Sequence, residues 1–168
     1  VQGGAGSDAI YGGLGNDTLF GAEDADQLSG DAGNDFLRGG SGDDVLNGGD
    51  DMDTIQGGAG DTVDGGEGGN DWDTLDLTGQ GAYRIINQTP DENGNGTNGT
   101  VEFLDADGLV TGSLDYTNIE NIIGDDFNFD PHANDDAATT AAIMRRQYNN
   151  DVTTTRRRLN NNATTTPR

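Results

Sequence analysis

GGAGSDAIY (3–11), GGLGNDTLF (12–20), GAEDADQLS (21–29), GDAGNDFLR (30–38), GGSGDDVLN (39–47) and GGDDMDTIQ (48–56) follow one another without a gap. Each unit opens on Gly, carries Asp at its sixth position, and carries Ile10, Leu19, Leu28, Leu37, Leu46 or Ile55 at its eighth. A shortened unit, GGAGDTVD (57–64), and a longer closing stretch, GGEGGNDWDTLDLTG (65–79), complete the array. A flexible Gly/Asp-rich linker has no fixed period, whereas stacked repeats require one. The period therefore decides the reading: residues 1–78 form a repeat module.

Each column has a physical role. Glycine at positions 1, 2 and 4 permits positive φ and close approach of backbone, as a tight turn requires. The last three positions of each unit predict a short strand, with the position-8 side chain inward and its neighbours outward. Two units make one coil, so residues 18 apart stack. Asp8, Asp26 and Asp44 then share one column, and Asp17, Asp35 and Asp53 the other.

Such turns offer a hard cation what it needs. Calcium takes six to eight oxygens from carboxylates and carbonyls. The position-6 carboxylates, with Asp61 and Asp71 of the two irregular last units, supply charge. The turn glycines Gly4, Gly6, Gly13, Gly15, Gly40 and Gly42 supply carbonyls. With no cysteine and one histidine, His132, the chain lacks the donors of a conventional zinc site. Six inward aliphatics are a small core for so many ordered residues, and the carboxylates repel one another, so metal binding is expected to contribute to folding itself.

Composition agrees. The 168 residues carry a formal net charge of −23, only 30% hydrophobic residues, and no lysine. An acidic body favours cations and disfavours nucleic acid. No apolar run is long enough for a membrane span. Val1 stands where an initiator Met would, so the chain reads as a fragment or a processed product.

The array resembles the RTX, or haemolysin-type, calcium-binding repeat family, whose pattern is G-G-x-G-x-D-x-U-x with U a large aliphatic. The resemblance implies an all-β fold, a right-handed parallel β-roll with several Ca²⁺ ions between its turns. It also implies a secreted, extracellular bacterial protein, exported by type I machinery. Ala22, Asp24, Asp31 and Asp51 replace turn glycines, and Asp enters the left-handed region more readily than most residues.

Beyond the array, Trp72, Leu75 and Leu77 are expected to cap the open end of the roll. Residues 82–86, 100–104 and 109–116 read as strands, with a hairpin turn at Asp107-Gly108. Residues 79–124 are thus expected to form a small antiparallel β capping element. The stretch 99–124 is similar to one that precedes a self-splicing Hint domain in secreted bacterial proteins, but the cysteine that family places next is missing here. Asp91, Asn93, Asn95, Gly96 and Glu102 match the spacing of an EF-hand loop. Their strand-like flanks favour a connection between strands.

Residues 125–168 read as linker and low-complexity tail. Six of the eight arginines lie after residue 138, with Asp151 the only acid there. This opposite charge suggests docking onto an acidic neighbour, in a homo-oligomer or an assembly. No nucleophile arrangement surrounds His132, and regularly spaced carboxylates serve metal better than acid–base catalysis, so no catalytic residue is assigned. The functional expectation is a non-enzymatic calcium-binding structural module. A β-roll fragment of a secreted hydrolase or protease, and a self-assembling extracellular protein, stay open as alternatives.

Overall fold

A computed structural model describes residues 1–92 and 94–125 of the chain. The linker and tail, with His132 and the arginine cluster, lie outside the described residues. Those described form thirteen strands and no helix. The first nine are β1 (Gln2–Gly4), β2 (Ala9–Leu14), β3 (Thr18–Glu23), β4 (Gln27–Ala32), β5 (Phe36–Ser41), β6 (Val45–Asp50), β7 (Thr54–Gln56), β8 (Thr62–Asp64) and β9 (Thr74–Leu77). They are followed by β10 (Ala82–Pro90), β11 (Thr97–Leu104), β12 (Val110–Ile119) and β13 (Asn121–Gly124).

Successive strands alternate between two sheets. One runs β1-β3-β5-β7-β9-β13, the other β10-β11-β12-β8-β6-β4-β2. Within the repeats all pairing is parallel, and the register is the expected 18-residue stack: Leu19 faces Leu37, and Ile10 faces Leu28. The irregular units shift it, so that Leu46 faces Val63 and Ile55 faces Leu75. The result is a parallel β-solenoid of about four turns, a β-roll.

The position-8 side chains form the core. Leu19, Leu28, Leu37, Leu46, Ile55, Val63 and Leu75 are wholly buried, each stacked on the residue one coil away. The strands between Ala9 and Asp50 are twice as long as the repeat predicts, six residues rather than three. They run on through the glycine pair because the position-1 glycine, whose φ is not positive, stays in the ladder and the bend is deferred to the next residue. Position 2 carries the positive φ, from Gly4 (117°) through Ala22 (105°) and Asp31 (72°) to Gly49 (118°). Asp24 and Asp51 likewise keep positive φ at position 4. The substituted turns therefore hold the glycine conformation at a cost in strain.

The segment after residue 78 does more than cap. β10, β11 and β12 form the expected antiparallel meander. β12 then pairs in parallel with β8, and β13 in parallel with β9. Tyr116 faces Val63 and Ile122 faces Leu75, which continues both core columns. Tyr83, Val101, Phe103, Leu114 and Ile119 join the same hydrophobic cluster.

Leu75 and Leu77 are buried as expected, but Trp72 is 58% exposed. It stands in the irregular stretch before β9, between Asp71 and the buried Asp73, and the meander covers the roll instead. Deleting core volume should therefore be costly: Leu37→Ala is expected to lower the stability of the calcium-loaded protein by about 2–5 kcal/mol. Leu14→Ala, at a side chain 92% exposed, should change it by no more than about 0.5 kcal/mol. Denaturant melts of the two variants check the difference.

Candidate metal centre: two ladders of buried aspartates

The position-6 aspartates turn inward at the bend before each strand. Each main chain is bonded twice to the next coil. The Asp26 amide donates to Asp44 Oδ1 at 2.8 Å, and the Asp26 carbonyl accepts from the Val45 amide at 2.9 Å. The amides of Asp8, Asp17, Asp35 and Asp44 donate in the same way to the carboxylates of Asp26, Asp35, Asp53 and Asp61. Two ladders result. One runs Asp8, Asp26, Asp44, Asp61. The other runs Asp17, Asp35, Asp53 and then Asp73, whose Oδ1 accepts the Asp53 amide at 2.8 Å. Asp73 in turn donates to Glu120 Oε2 at 2.5 Å.

Asp61 is satisfied at both oxygens, by the amides of Asp44 and Gly58, but most of the ladder carboxylates are not. The second oxygen, Oδ2, is buried without a hydrogen-bond partner in Asp8, Asp26, Asp35, Asp44, Asp53 and Asp73. It lies against the position-1 glycine of its own turn: a Cβ on Gly21, Gly30, Gly39 or Gly48 would collide with it. That close approach, and not positive φ, explains glycine at position 1. A buried carboxylate oxygen with no donor is costly. A column of them, with glycine backbone alongside, suits a hard cation.

The electrostatics point the same way. Burial pushes the carboxyls of Asp35 and Asp44 above the ordinary range; the amide each accepts opposes the shift, and neighbouring acids add to it. The same causes push Asp61 up to about 6, Asp53 to about 7 and Asp73 to about 8. The charges acting on Asp53, those of Asp35, Asp51 and Asp50, are all negative.

The structure thus brings Asp8, Asp17, Asp26, Asp35, Asp44, Asp53 and Asp61 together as two columns. Asp71 lies beside its column, and Asp73 takes the ladder position. Glu120, which sequence reasoning missed, extends it. The signal was present: Asp73-Thr74-Leu75 and Glu120-Asn121-Ile122 both repeat the acid-x-aliphatic order of Asp53-Thr54-Ile55. The turn glycines Gly4, Gly6, Gly13, Gly15, Gly40 and Gly42 all have positive φ. The EF-hand spacing at 91–102 has another explanation. Asp91 accepts the amides of Gly94 and Gly96, closing a loop between β10 and β11. Glu102, within β11, pairs with Arg84.

Protonation should substitute for metal. A carboxyl whose pKa is raised on folding binds its proton more tightly in the folded state, so the fold gains stability as pH falls and loses it as pH rises. In the metal-stripped chain, stability should increase from about pH 8 to about pH 5, across the values of Asp73, Asp53 and Asp61. Calcium affinity should fall over the same window. Thermal melts and calcium titrations at each pH check both trends.

Compared with known families, residues 1–28, 29–64 and 38–72 match the RTX calcium-binding nonapeptide repeat (4 copies). A comparison with curated proteins returns no match. The match covers the repeats and stops short of residues 99–124, so it does not extend to the Hint-like flank. With its glycine turns, stacked aspartates and aliphatic columns, the segment 1–72 is built of RTX calcium-binding nonapeptide repeats.

Proposed function

We propose that the chain is a structural module that folds as it binds calcium outside the cell. The observation that carries this reading is the column of buried Oδ2 atoms without partners. The calcium-binding character of the matched repeats supports it. Asp8, Asp17, Asp26, Asp35, Asp44, Asp53 and Asp61 would hold the ions with their carboxylates, Asp73 would continue the second ladder, and Gly4, Gly6, Gly13, Gly15, Gly40 and Gly42 would offer carbonyls. Bound calcium supplies positive charge between turns.

The chain's own residues do the rest. The amide-to-carboxylate ladder sets the spacing of the coils, the position-1 glycines leave room beside Oδ2, and the aliphatic columns exclude water. Without a counter-ion, the 14 acids of residues 1–64 face Arg38 alone as an opposing side chain. Compaction is then opposed by self-repulsion. Calcium is scarce in cytosol and plentiful outside cells, so such a chain stays extended until exported and then folds. This supports a secreted, extracellular setting. The regular spacing of the carboxylates supports metal binding over acid–base catalysis, and hence a non-enzymatic role.

Circular dichroism tests the coupling. Residues 1–78 are expected to be largely unstructured in chelator and rich in β structure in millimolar calcium; a spectrum unchanged by chelator would sink the proposal. Magnesium should substitute poorly, since it favours rigid octahedral geometry and retains its waters. For the ligands, Asp35→Ala should lower calcium affinity and melting temperature together, by more than the about 0.5 kcal/mol of a surface change. Calorimetry that finds stoichiometry and affinity intact would remove Asp35 from the ligand set.

A further inference from the structure

The roll ends in a carboxylate cluster that no repeat unit builds by itself. Asp71 and Asp73 precede β9. Glu120, 47 residues beyond Asp73, sits between β12 and β13. One ligand-capable oxygen from each lies within 4.8 Å of the other two. Acidic clusters are common on protein surfaces, but this one has a wholly buried member. Asp73 is 0% exposed, and its Oδ2 has no hydrogen-bond partner. Glu120 Oε1 is likewise buried without one, while Glu120 Oε2 accepts the Asp73 amide.

A third segment walls the cluster. The loop between β10 and β11 places Gly96 so close that a Cβ there would meet both Glu120 Oε1 and Asp91 Oδ2. Asp91 is itself buried, held by the amides of Gly94 and Gly96. The charges acting on Asp73 are those of Asp53, Asp71 and Glu120, all negative. Asp73 and Glu120 both lie beyond the matched repeats, which end at residue 72.

We propose that Asp71, Asp73 and Glu120 form a terminal divalent-cation site whose ion clamps the returning segment 110–124 onto the last turn of the repeats. An all-oxygen donor set selects a hard cation, and a cluster assembled from separate segments suits the adaptable coordination of calcium better than the strict octahedron of magnesium. The proposal rests on the calcium reading of the repeats only for the identity of the ion. Its consequence is that the roll is sealed by metal: the meander locks over the open end only when calcium bridges the two segments.

Trp72, the one tryptophan of the chain, stands between two of these ligands. Terbium, which replaces calcium and luminesces when a nearby excited indole transfers energy to it, therefore reports this site. Terbium titrated into the full calcium-loaded chain, with excitation of the tryptophan alone, is expected to give sensitised emission. Losing even an outer partner of a metal ligand commonly weakens binding about tenfold or more, so Glu120→Gln should shift the emission titration at least about tenfold. Calorimetry should show calcium stoichiometry lower by a single ion, with the repeat sites retained. Asp71→Asn, which leaves the Asp73–Glu120 hydrogen bond in place, should do the same if Glu120→Gln does not fold. Sensitised emission absent from the parent chain, or unshifted in the folded variants, while the repeats still take up calcium, overturns the terminal site and leaves the repeat reading standing. No calcium uptake anywhere overturns both.

Discussion

The fold depends on a carboxylate made to serve two neighbours at once. From Asp26 and Asp35 onward, each ladder aspartate gives one oxygen to an amide of the adjacent coil, which fixes the spacing between coils. In Asp26, Asp35, Asp44, Asp53 and Asp73 the other oxygen is left buried with no donor. The first bond demands that the side chain be inside. The second oxygen makes that position untenable for a bare anion. The described residues contain only two arginines, and Arg84 is already paired with Glu102. The cations among the described residues are too few to neutralise the columns, so the same interaction that orders the coils makes their order conditional on added positive charge, such as protons or calcium.

Much of this was legible in the sequence because the repeat is short and its columns are chemically pure. The aliphatic at position 8 and the Asp at position 6 fixed the two-unit coil, the 18-residue register and the inward face. What was hidden is what period alone does not carry. The role of the position-1 glycine is a matter of contact with Oδ2, invisible until the turn is closed. Strand length was underestimated because positive φ at position 2 bends the chain without ending the ladder. Trp72 reads as a core residue by its size, yet it lies in the irregular stretch before β9, where Asp73 is the side chain that is buried and Trp72 is exposed.

The largest gap concerns residues 110–124. Read locally, they make a strand pair after a hairpin, and the antiparallel meander is there. Their parallel return onto β8 and β9 pairs residues some fifty positions apart, as in Asp115 with Thr62. No local propensity encodes such a contact. It follows from the exposed edges that the last repeat turns present, which a solenoid must cover. The acid-x-aliphatic order of Glu120-Asn121-Ile122 is the trace of this continuation. It also means that the roll closes through a long loop, whose entropy cost falls on the last step of assembly. Capping is thus the least locally supported part of the fold, and the part where an added ion has most to contribute.

Hydrogen exchange at the ladder amides tests the central claim most directly. The amides of Asp26, Asp35, Asp44 and Asp53 each donate to a buried carboxylate one coil away. If those carboxylates need a counter-ion, the four amides exchange slowly in calcium and at close to unfolded rates in chelator at neutral pH. Equal protection in the two conditions would show that the ladders stand without metal, and would contradict the account.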